Sequence, residues 1–349
     1  MTELAEILAA RIRAAGPMSV AEYMGECLFH PEHGYYSTRP GIGSRDFTTA
    51  PEISQMFGEM LGLCLAAAWM AEGRPERFVL AELGPGRGVL MEDVLRATRG
   101  VPGFAQAAEL HLVEASPVLR AEQARRLPAA THHERVEDLP EGPLYLLANE
   151  FFDALPIRQF IRVGRGWAER VVGLKEGALS FGLTEPAPVA ALAGRLNDTA
   201  ESDLVEICPM APAIASEVGR RIAAHGGAAL IVDYGGWLSR GDTLQALEQG
   251  AFADPLAEPG RADLTAHVDF QPLARAAAPA LATALEGQGA FLERLGITER
   301  ARALAVKGDA EAIAAAHRRL CHPDEMGTLF KVLGLYRNGS APPPGLAEP

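Results

Sequence analysis

A short apolar segment that leads into a cluster of glycines constrains the fold of this chain more than any other feature. Residues 78–83 read Phe-Val-Leu-Ala-Glu-Leu, and residues 84–88 follow as Gly-Pro-Gly-Arg-Gly. The apolar run predicts a buried strand, and a helical pattern follows from about Val89 to Thr98. Glycine permits positive φ and a close approach of the backbone to a bound molecule. The segment therefore predicts a strand, a turn that faces a ligand, and a helix.

The same alternation of strands and helices continues along the chain. Apolar strands are predicted at residues 109–114, 144–148, 203–208 and 228–233, and a β-hairpin is predicted at 157–172. Buried strands that alternate with helices are typical of parallel β-α-β units. The sequence therefore predicts an α/β fold with a parallel, Rossmann-like sheet.

The spacing of the glycines distinguishes between two classes of ligand. The dinucleotide fingerprint G-x-G-x-x-G requires a third glycine where this chain has Val89. The chain instead has E-x-G-x-G-x-G from Glu82 to Gly88, the arrangement used by Rossmann-like methyltransferases that bind S-adenosylmethionine. Pro85 also removes one backbone donor that a pyrophosphate would use. We therefore predict an S-adenosylmethionine site, with a dinucleotide site and a tight turn without a ligand as the alternatives.

Acidic residues beyond the glycine turn extend this prediction. Glu114 ends the second predicted strand, where a carboxylate can accept hydrogen bonds from both ribose hydroxyls of an adenosine. Asp138 lies further along the chain and is predicted to meet the adenine amino group. The predicted cofactor-binding residues are Glu82, Gly84, Pro85, Gly86, Gly88, Glu114, Asp138, Thr48 and Thr49.

Composition excludes several classes of protein. Lys and Arg number 32 against 45 Asp and Glu, a formal net charge of −13, which argues against a nucleic-acid partner because phosphate binding depends on basic residues. The four cysteines form no C-x-x-C pair, and His132-His133 has no third ligand at metal spacing, so we predict no disulfide framework and no metal. No apolar run approaches the roughly 20 residues that a bilayer requires, and the N-terminus lacks a secretory pattern. We expect no membrane insertion and a cytoplasmic location.

Further motifs follow one another in a fixed order from about Gly16 to Leu333. They are Gly16-Pro17-Met18-Ser19, Tyr23-Met24, His33-Gly34-Tyr35-Tyr36, Asp46 to Gln55 (Asp-Phe-Thr-Thr-Ala-Pro-Glu-Ile-Ser-Gln), Phe57-Gly58-Glu59, the glycine turn, Asn149 to Pro156 (Asn-Glu-Phe-Phe-Asp-Ala-Leu-Pro), Asp263 to Phe270 (Asp-Leu-Thr-Ala-His-Val-Asp-Phe), Met326-Gly327 and Phe330-Lys331. With these motifs the chain resembles the MidA family of S-adenosylmethionine-dependent methyltransferases. Arg45 departs from the family, which usually has Gly before Asp-Phe-Thr.

The resemblance implies a fold, a cofactor and an acceptor. The MidA family is related to the mitochondrial complex I assembly factor that methylates arginine. The implied fold is the Rossmann-like class I methyltransferase fold, and the implied methyl donor is S-adenosylmethionine. The implied acceptor is an arginine in a protein substrate, in the family's case a subunit of respiratory complex I.

A group of polar residues follows the apolar strand at 144–148. Asn149, Glu150 and Asp153 lie at the carboxyl end of a parallel strand, where open α/β sheets bind their ligands. Carboxylates can orient a guanidinium, which stays protonated in proteins, and can accept its proton after methyl transfer. We predict catalytic or substrate-binding roles for these three residues. The alternative is a helix N-terminus where acids only stabilise the helix dipole.

The polar segment from Asp46 to Gln55 is the second predicted wall of the site. It follows a glycine-rich stretch and precedes an apolar helix, so we predict a lid that excludes water from a reactive sulfonium. The alternative is a capped helix start with Thr49 near the cap. The segment 233–236 (Asp-Tyr-Gly-Gly) ends another strand and is expected at the rim. The predicted lid and substrate residues are Asp46, Glu52, Ser54, Gln55 and His267, the last either in contact with substrate or buried as a structural histidine near Asp263 and Asp269.

The predicted organisation combines these parts. It consists of an N-terminal helical subdomain with the lid loop (1–75), a Rossmann-like core with a β-hairpin addition (76–240), a helical insertion (241–320), closing strands of the core (321–340) and a disordered tail (341–349). We predict a methyltransferase that modifies an arginine of a protein. Methylation of a small molecule and a non-catalytic assembly factor are the alternatives, and a homodimer is compatible with the sequence.

Overall fold

Helices and strands alternate along the chain in a computed structural model that describes residues 2–38, 48–238 and 240–349. Within these residues the α-helices are α1 (Glu3–Ala15), α2 (Val20–Phe29), α3 (Tyr35–Thr38), α4 (Ala50–Ile53), α5 (Gln55–Ala71), α6 (Val89–Thr98), α7 (Phe104–Ala107), α8 (Pro117–Arg126), α9 (Ala211–His225), α10 (Phe270–Ala276), α11 (Gln288–Arg294), α12 (Ile297–Ala305) and α13 (Ala310–Cys321). The strands are β1 (Met18–Ser19), β2 (Phe78–Leu83), β3 (Ala108–Val113), β4 (Thr131–His133), β5 (Leu144–Asn149), β6 (Arg158–Val163), β7 (Gly166–Lys175), β8 (Ala178–Leu183), β9 (Leu204–Ile207), β10 (Gly227–Gly236), β11 (Gln245–Glu248), β12 (Ala251–Ala253), β13 (Asp263–Thr265), β14 (Val268–Asp269), β15 (Leu281–Ala282), β16 (Glu286–Gly287) and β17 (Phe330–Tyr336).

The central sheet has the strand order β15-β17-β10-β5-β2-β3-β4, with β14 beside β10 and β16 beside β17. Strands β10, β5, β2, β3 and β4 run parallel to one another, and β17 is antiparallel to β10. The strands β2 and β5 are buried along their whole length, as expected where helices cover both faces of a parallel sheet. The predicted α/β fold with a parallel, Rossmann-like sheet is confirmed.

The two faces of this sheet contribute to two separate apolar cores. Because side chains alternate along a strand, Leu80 and Leu230 pack on one face with α5 and α6, whereas Ala81 and Ile231 pack on the other with α9 and α10. Gly62 allows α5 to approach α6, since a Cβ there would lie 2.9 Å from the Cα of Val94. The sheet therefore holds the ends of its strands in fixed positions from both sides.

Local sequence signals set the ends of the first helices. The Thr2 side chain accepts a hydrogen bond from the Ala5 amide at the start of α1. Ser19 and Glu22 form a capping box at the start of α2. Among the described residues, no helix combines the length and the apolar character needed to cross a bilayer.

The predicted hairpin forms, but it belongs to a second sheet. Strands β6 and β7 pair antiparallel, and they join β1, β8 and β9 in a sheet of order β1-β7-β6-β9, with β8 beside β7. The prediction that residues 203–208 return to the central sheet is wrong, because β9 pairs antiparallel with β6. A short apolar run specifies a strand but not its partner, so the sequence pattern left this choice open.

The segment 241–320, predicted as a helical insertion, begins with strands. Strands β11, β12 and β13 form a small antiparallel sheet, and only the later part of the segment is mostly helical, in α11 to α13. The strands are three or four residues long, and their core contacts come from few side chains such as Ala246 and Leu264. Strands this short, in an alanine-rich segment, show no clear alternation of apolar and polar residues, so the sequence pattern did not indicate them. The domain boundaries stay predictions.

The tail at 341–349 is ordered by contacts with the core, so the prediction of a disordered tail is wrong. The Leu346 side chain is only 9% exposed, and a Cβ at Gly334 would lie 2.7 Å from its Cδ1 atom. The Ala284 amide donates to the Ala347 carbonyl at 2.9 Å, and the Cys64 thiol donates to the Pro344 carbonyl at 3.3 Å. A proline-rich composition signals disorder, but a single apolar side chain can anchor a tail in a groove.

We expect the change Leu346→Ala to lower the free energy of unfolding by about 2 kcal/mol, because it removes a buried side chain and leaves a cavity. Urea denaturation measures the effect. The control is Leu183→Ala, whose side chain is 55% exposed, and which we expect to change the free energy by less than about 0.5 kcal/mol. Equal effects of the two changes would contradict the anchoring role of the tail.

Candidate active site

The glycine turn connects β2 to α6, where the sequence predicted it. Gly84, Gly86 and Gly88 have φ values of +59°, +51° and +78°, a region that favours glycine. A Cβ at Gly84 would lie 2.7 Å from the ring of Phe151, whereas a Cβ at Gly86 would meet nothing within 4 Å. Gly84 therefore serves close packing against the loop after β5, and the space beside Gly86 is open to a ligand.

A cavity of about 1330 Å³ lies beside this turn, at the carboxyl ends of the central strands. Its volume exceeds the range of about 300–1,000 Å³ that is common for small-molecule sites, so it has room for a cofactor and part of a second molecule. Most of the predicted site residues line this cavity: Glu82, Gly84, Pro85, Gly86, Glu114, Thr48, Thr49, Glu52, Asn149, Glu150, Asp153 and His267.

Other predicted residues lie elsewhere. Asp138 does not line the cavity, whereas Glu137, one position earlier in the same 3₁₀ turn, does, so the contact of Asp138 with adenine stays a prediction. Gly88 stands at the N-cap of α6, outside the cavity lining. Asp46 lies outside the described residues.

The described part of the predicted lid begins at Thr48 and leads into two helices. Thr49 is the N-cap residue of α4, in agreement with the alternative prediction of a helix start near Thr49. Its side chain makes no capping hydrogen bond. Ser54 and Gln55 do not line this cavity but lie at the start of α5, and their assignment to a substrate wall stays a prediction. The Ser54 hydroxyl accepts a hydrogen bond from the Met56 amide at 3.2 Å. The Gln55 side-chain amide donates to the Glu59 carboxylate, one turn along the same helix, at 3.1 Å.

Two acids define the side of the cavity next to the glycine turn. The Glu114 carboxylate accepts from the Ser116 amide at 2.8 Å and from the Gln123 side chain at 3.3 Å. Glu82 is buried, and its Oε2 atom has no hydrogen-bond partner among the described residues. Burial, with the negative charge of Glu114 as a smaller cause, raises the pKa of Glu82 to about 8. Together with the open space at Gly86, this unpartnered acceptor fits a cofactor that brings its own donors, as the ribose and amino groups of S-adenosylmethionine do.

The raised pKa of Glu82 predicts a pH-dependent stability. Between its usual value of 4.5 and about 8, the folded protein holds a proton that the unfolded chain releases. The free energy of unfolding of the ligand-free protein is therefore expected to fall as the pH rises through this window, by about 1.4 kcal/mol per unit from this group. Urea denaturation at pH 5, 6, 7 and 8 should show that Glu82→Gln removes this part of the slope. Glu176→Gln, at an exposed turn, serves as the control and should leave the slope unchanged.

Three polar residues at the end of β5 form the adjoining wall. Glu150 has a φ of +50°, an unfavourable value for glutamate, and such strain is concentrated at functional sites. Its Oε1 atom accepts from the Ala50 amide at 3.0 Å and from the Asn149 side chain at 3.1 Å. Removal from bulk water raises the pKa of Glu150 to about 8. The Oδ1 atoms of Asn149 and Asp153 have no hydrogen-bond partners among the described residues.

The segment 233–236 supports this wall from β10. Asp233 is fully buried, and its Oδ2 atom accepts from the amides of Phe152 at 3.0 Å and Asp153 at 3.2 Å, so it positions the loop that carries the acids. Burial, and then the negative charge of Asp153, raise the pKa of the Tyr234 hydroxyl well above its usual value. His267 reaches the cavity and packs edge-on against Tyr234, with ring centroids 5.4 Å apart, and burial lowers its pKa.

Tyr36 and Gln245 also line the cavity, although no sequence pattern predicted a role for them. Tyr36 lies in α3, and Gln245 begins β11 in the segment that was expected to be helical. A tyrosine or a glutamine carries no signal of its own, because both residue types are common on surfaces and in cores. Only the arrangement of the strands and loops around the cavity reveals them.

Comparison with known proteins gives the family. The model of a family of S-adenosyl-L-methionine-dependent methyltransferases, Methyltransf_28, matches residues 60–287. The chain belongs to this family. A crystal structure from Burkholderia thailandensis, bound to S-adenosyl-homocysteine, has a TM-score of 0.82 and 31% sequence identity, and the match covers 96% of this chain and 92% of that one.

Two animal proteins are similar over almost the whole chain. "Protein arginine methyltransferase NDUFAF7 homolog, mitochondrial" from Drosophila melanogaster is 38% identical over 373 residues, which cover 95% of this chain and 84% of the relative. "Protein arginine methyltransferase NDUFAF7, mitochondrial" from Homo sapiens is 35% identical over 371 residues, which cover 96% and 83%.

These comparisons decide four of the predictions. The Rossmann-like class I methyltransferase fold is confirmed, and so are the activity as a methyltransferase and the cofactor S-adenosylmethionine. The expected cytoplasmic location is wrong, because these similar animal proteins are named as mitochondrial. The N-terminal pattern on which that expectation rested does not distinguish the cytoplasm from other compartments.

Proposed function

We propose that this methyltransferase transfers the methyl group of S-adenosylmethionine to an arginine of a protein substrate. The observation that carries the proposal is the pair of carboxylates of Glu150 and Asp153 at the end of β5, beside the glycine turn. Asp153 is buried and keeps one oxygen without a partner among the described residues. A cationic donor from a substrate would satisfy this oxygen, and a guanidinium offers several.

The proposed mechanism assigns the acid–base work to these two residues. When bound, S-adenosylmethionine supplies an electrophilic methyl group on a sulfonium. Glu150 and Asp153 orient the guanidinium and hold its positive charge away from the nitrogen that attacks. A bond forms between this nitrogen and the methyl carbon, the carbon–sulfur bond breaks, and the proton lost from the nitrogen passes to a carboxylate. The strained backbone of Glu150 holds its carboxylate in the cavity wall.

A protein acceptor is supported by the rim of the cavity as well as by the relatives. Phe252, Met210 and Leu329 line the cavity and are 78%, 51% and 49% exposed, so apolar side chains surround its opening. Exposed apolar groups around a polar site are typical of surfaces that bind proteins. The names of the relatives include protein arginine methylation. The resemblance of the sequence to the MidA family favours a subunit of respiratory complex I as the substrate.

The test is a methylation assay followed by mass spectrometry. The purified protein and S-adenosylmethionine labelled on the methyl group are incubated with complex I subunits from cells that lack this gene. We expect label on one arginine of a subunit, with no label when the protein is omitted. Label only in the small-molecule fraction would favour a small-molecule acceptor instead. A homodimer remains compatible with the proposal, and light scattering of the purified protein measures the assembly state.

A further inference from the structure

Three side chains that can bind a metal ion come together where α13 ends. His317 and Cys321 lie four positions apart in this helix, so they share one of its faces. Glu293 reaches them from α11. One ring nitrogen of His317, the Sγ atom of Cys321 and a carboxylate oxygen of Glu293 all lie within 4.8 Å of one another. The cluster therefore offers an imidazole, a thiol and a carboxylate to a single ion.

The distance between the imidazole and the carboxylate suits two ligands of one ion. The Nε2 atom of His317 lies 3.1 Å from the Oε1 atom of Glu293. Two ligand atoms that each lie about 2.0 Å from a tetrahedral ion are separated by roughly 3.3 Å. The Thr298 hydroxyl of α12 donates to the other oxygen of Glu293 at 2.6 Å and contacts the His317 Nε2 atom at 3.0 Å. Thr298 therefore orients both side chains, as the residues around metal ligands commonly do.

The donor atoms of the cluster favour one kind of ion. Mg²⁺ and Ca²⁺ bind through oxygen atoms, so a thiol and an imidazole disfavour them. Zn²⁺ binds sulfur, nitrogen and carboxylate ligands, and a zinc site with three protein ligands keeps a fourth position for water. The Glu293 side chain is 43% exposed, which gives water access to that position. The cluster is therefore suited to zinc.

Binding of zinc would change the protonation of the cysteine. Burial, and then the negative charge of Glu293, raise the pKa of the Cys321 thiol to about 12, so the thiol is protonated at neutral pH. A bond forms between the zinc ion and the sulfur, the S–H bond breaks, and the proton passes to water. The two positive charges of the ion then balance the thiolate and the carboxylate.

The backbone of Cys321 connects this cluster to the wall of the active-site cavity. A Cβ at Gly289 of α11 would lie 2.2 Å from the Cys321 carbonyl oxygen, and a Cβ at Gly327 would lie 2.0 Å from it. The carbonyl is thus packed between α11 and the segment Pro323–Gly327. Three residues of this segment line the cavity, namely Asp324, Glu325 and Met326. An ion bound at Cys321 would therefore fix the start of this part of the wall.

We propose that Glu293, His317 and Cys321 bind one Zn²⁺ ion, which joins α11 to α13 and holds the segment Pro323–Gly327 in the cavity wall. The expectation of no metal came from His132-His133 and from the spacing of the cysteines. Neither pattern reports contacts between two helices. The inference does not depend on which acceptor the enzyme methylates.

The experiment uses Co²⁺ as a spectroscopic substitute for Zn²⁺. The full-length protein without an affinity tag is freed of metal with a chelator and titrated with CoCl₂, and ZnCl₂ then displaces the bound Co²⁺. We expect one Co²⁺ per chain, with a thiolate-to-cobalt charge-transfer band and the strong visible bands of a tetrahedral site. Loss of a residue that only orients a ligand weakens metal binding about 10–100-fold. Loss of a ligand in Cys321→Ser should therefore weaken it about a hundredfold or more and abolish the charge-transfer band.

Two control variants match the tested ones in chemistry. Cys208→Ser changes another partly buried thiol. His225→Gln changes another histidine that contacts a glutamate, at 2.9 Å from Glu141. Both are expected to keep the wild-type metal affinity, whereas His317→Gln should weaken it as Cys321→Ser does. Circular dichroism and the affinity for S-adenosylhomocysteine report an intact fold, and His317→Gln carries the test if Cys321→Ser does not fold.

Hydrogen exchange measures the effect of the ion on the cavity wall. We expect Zn²⁺ to slow amide exchange in the segment Pro323–Gly327 about fivefold or more in the wild-type protein, because the ion opposes local opening. Exchange in the β6–β7 hairpin should stay unchanged. In Cys321→Ser the same concentration of Zn²⁺ should have no effect on either segment.

Each contrary outcome overturns a defined part of the inference. A wild-type protein without the charge-transfer band, or one that binds only at millimolar metal, would exclude the zinc site. The same conclusion would follow if the band persisted in Cys321→Ser or disappeared in Cys208→Ser. Zinc binding without slower exchange in Pro323–Gly327 would overturn the effect on the cavity wall. None of these outcomes decides the acceptor, which the methylation assay tests.

Discussion

Replacing Glu150 with Gln is expected to lower kcat/KM for methyl transfer by about a hundredfold or more, while the affinity for S-adenosylhomocysteine changes little. Gln keeps the size of the side chain and can keep an acceptor for the Ala50 amide, which contacts Oε1 at 3.0 Å. It cannot hold the charge of the acceptor or take its proton. A transfer assay measures the first effect, and calorimetry with S-adenosylhomocysteine measures the second.

The pH profile gives this prediction a second readout. Because the pKa of Glu150 in the free protein is raised to about 8, this group is mostly protonated at neutral pH and unable to accept a proton. In the wild-type protein we expect kcat/KM to rise with pH through about 8 and to level off above it, since kcat/KM reports the free enzyme. In Glu150→Gln the residual activity should lose that rise.

A matched control for Glu150 exists in the turn after β7. Glu176 has a φ of +53°, close to the +50° of Glu150, and it is exposed. Glu176→Gln therefore makes the same chemical change on the same type of backbone, and we expect wild-type kinetics from it. If Glu150→Gln kept wild-type activity and an unchanged pH profile, Glu150 would not be the base, and Asp153 would be the group that accepts the proton.

The sequence was sufficient for those parts of the site that lie on regular strands. Glu82, Glu114 and Asn149 each stand at or just beyond the carboxyl end of a strand that the apolar pattern predicts. In a parallel sheet these ends lie at one edge, so one topological rule brings the three residues together. The glycine turn was equally predictable, because positive φ and close packing at Gly84 restrict the residue type.

The remaining parts depend on contacts between segments far apart in the chain. Asp263 and Tyr36 are 227 positions apart, and no local pattern indicates that they form a hydrogen bond. The choice between Asp138 and Glu137 depended on the geometry of one 3₁₀ turn, where a shift of one residue changes which side chain faces the cavity. The packing of Leu346 against the core also follows from the shape of a groove and not from its neighbours in sequence.

The other large effect is expected at the glycine turn, where Gly86→Val should weaken binding of S-adenosylhomocysteine more than about a hundredfold and abolish methyl transfer. A Cβ at Gly86 meets no protein atom within 4 Å, so the added side chain enters the cavity in place of the ligand. Valine at the φ of +51° found at Gly86 also strains the backbone. Gly164→Val is the control for this strain, because Gly164 has a φ of +56° in the open turn of the β6–β7 hairpin, where a Cβ meets nothing within 4 Å. Calorimetry and thermal denaturation should therefore show a similar loss of stability in both variants, of about 1–2 kcal/mol, but loss of cofactor binding in Gly86→Val alone. Wild-type affinity for S-adenosylhomocysteine in Gly86→Val would mean that the cofactor does not approach this turn.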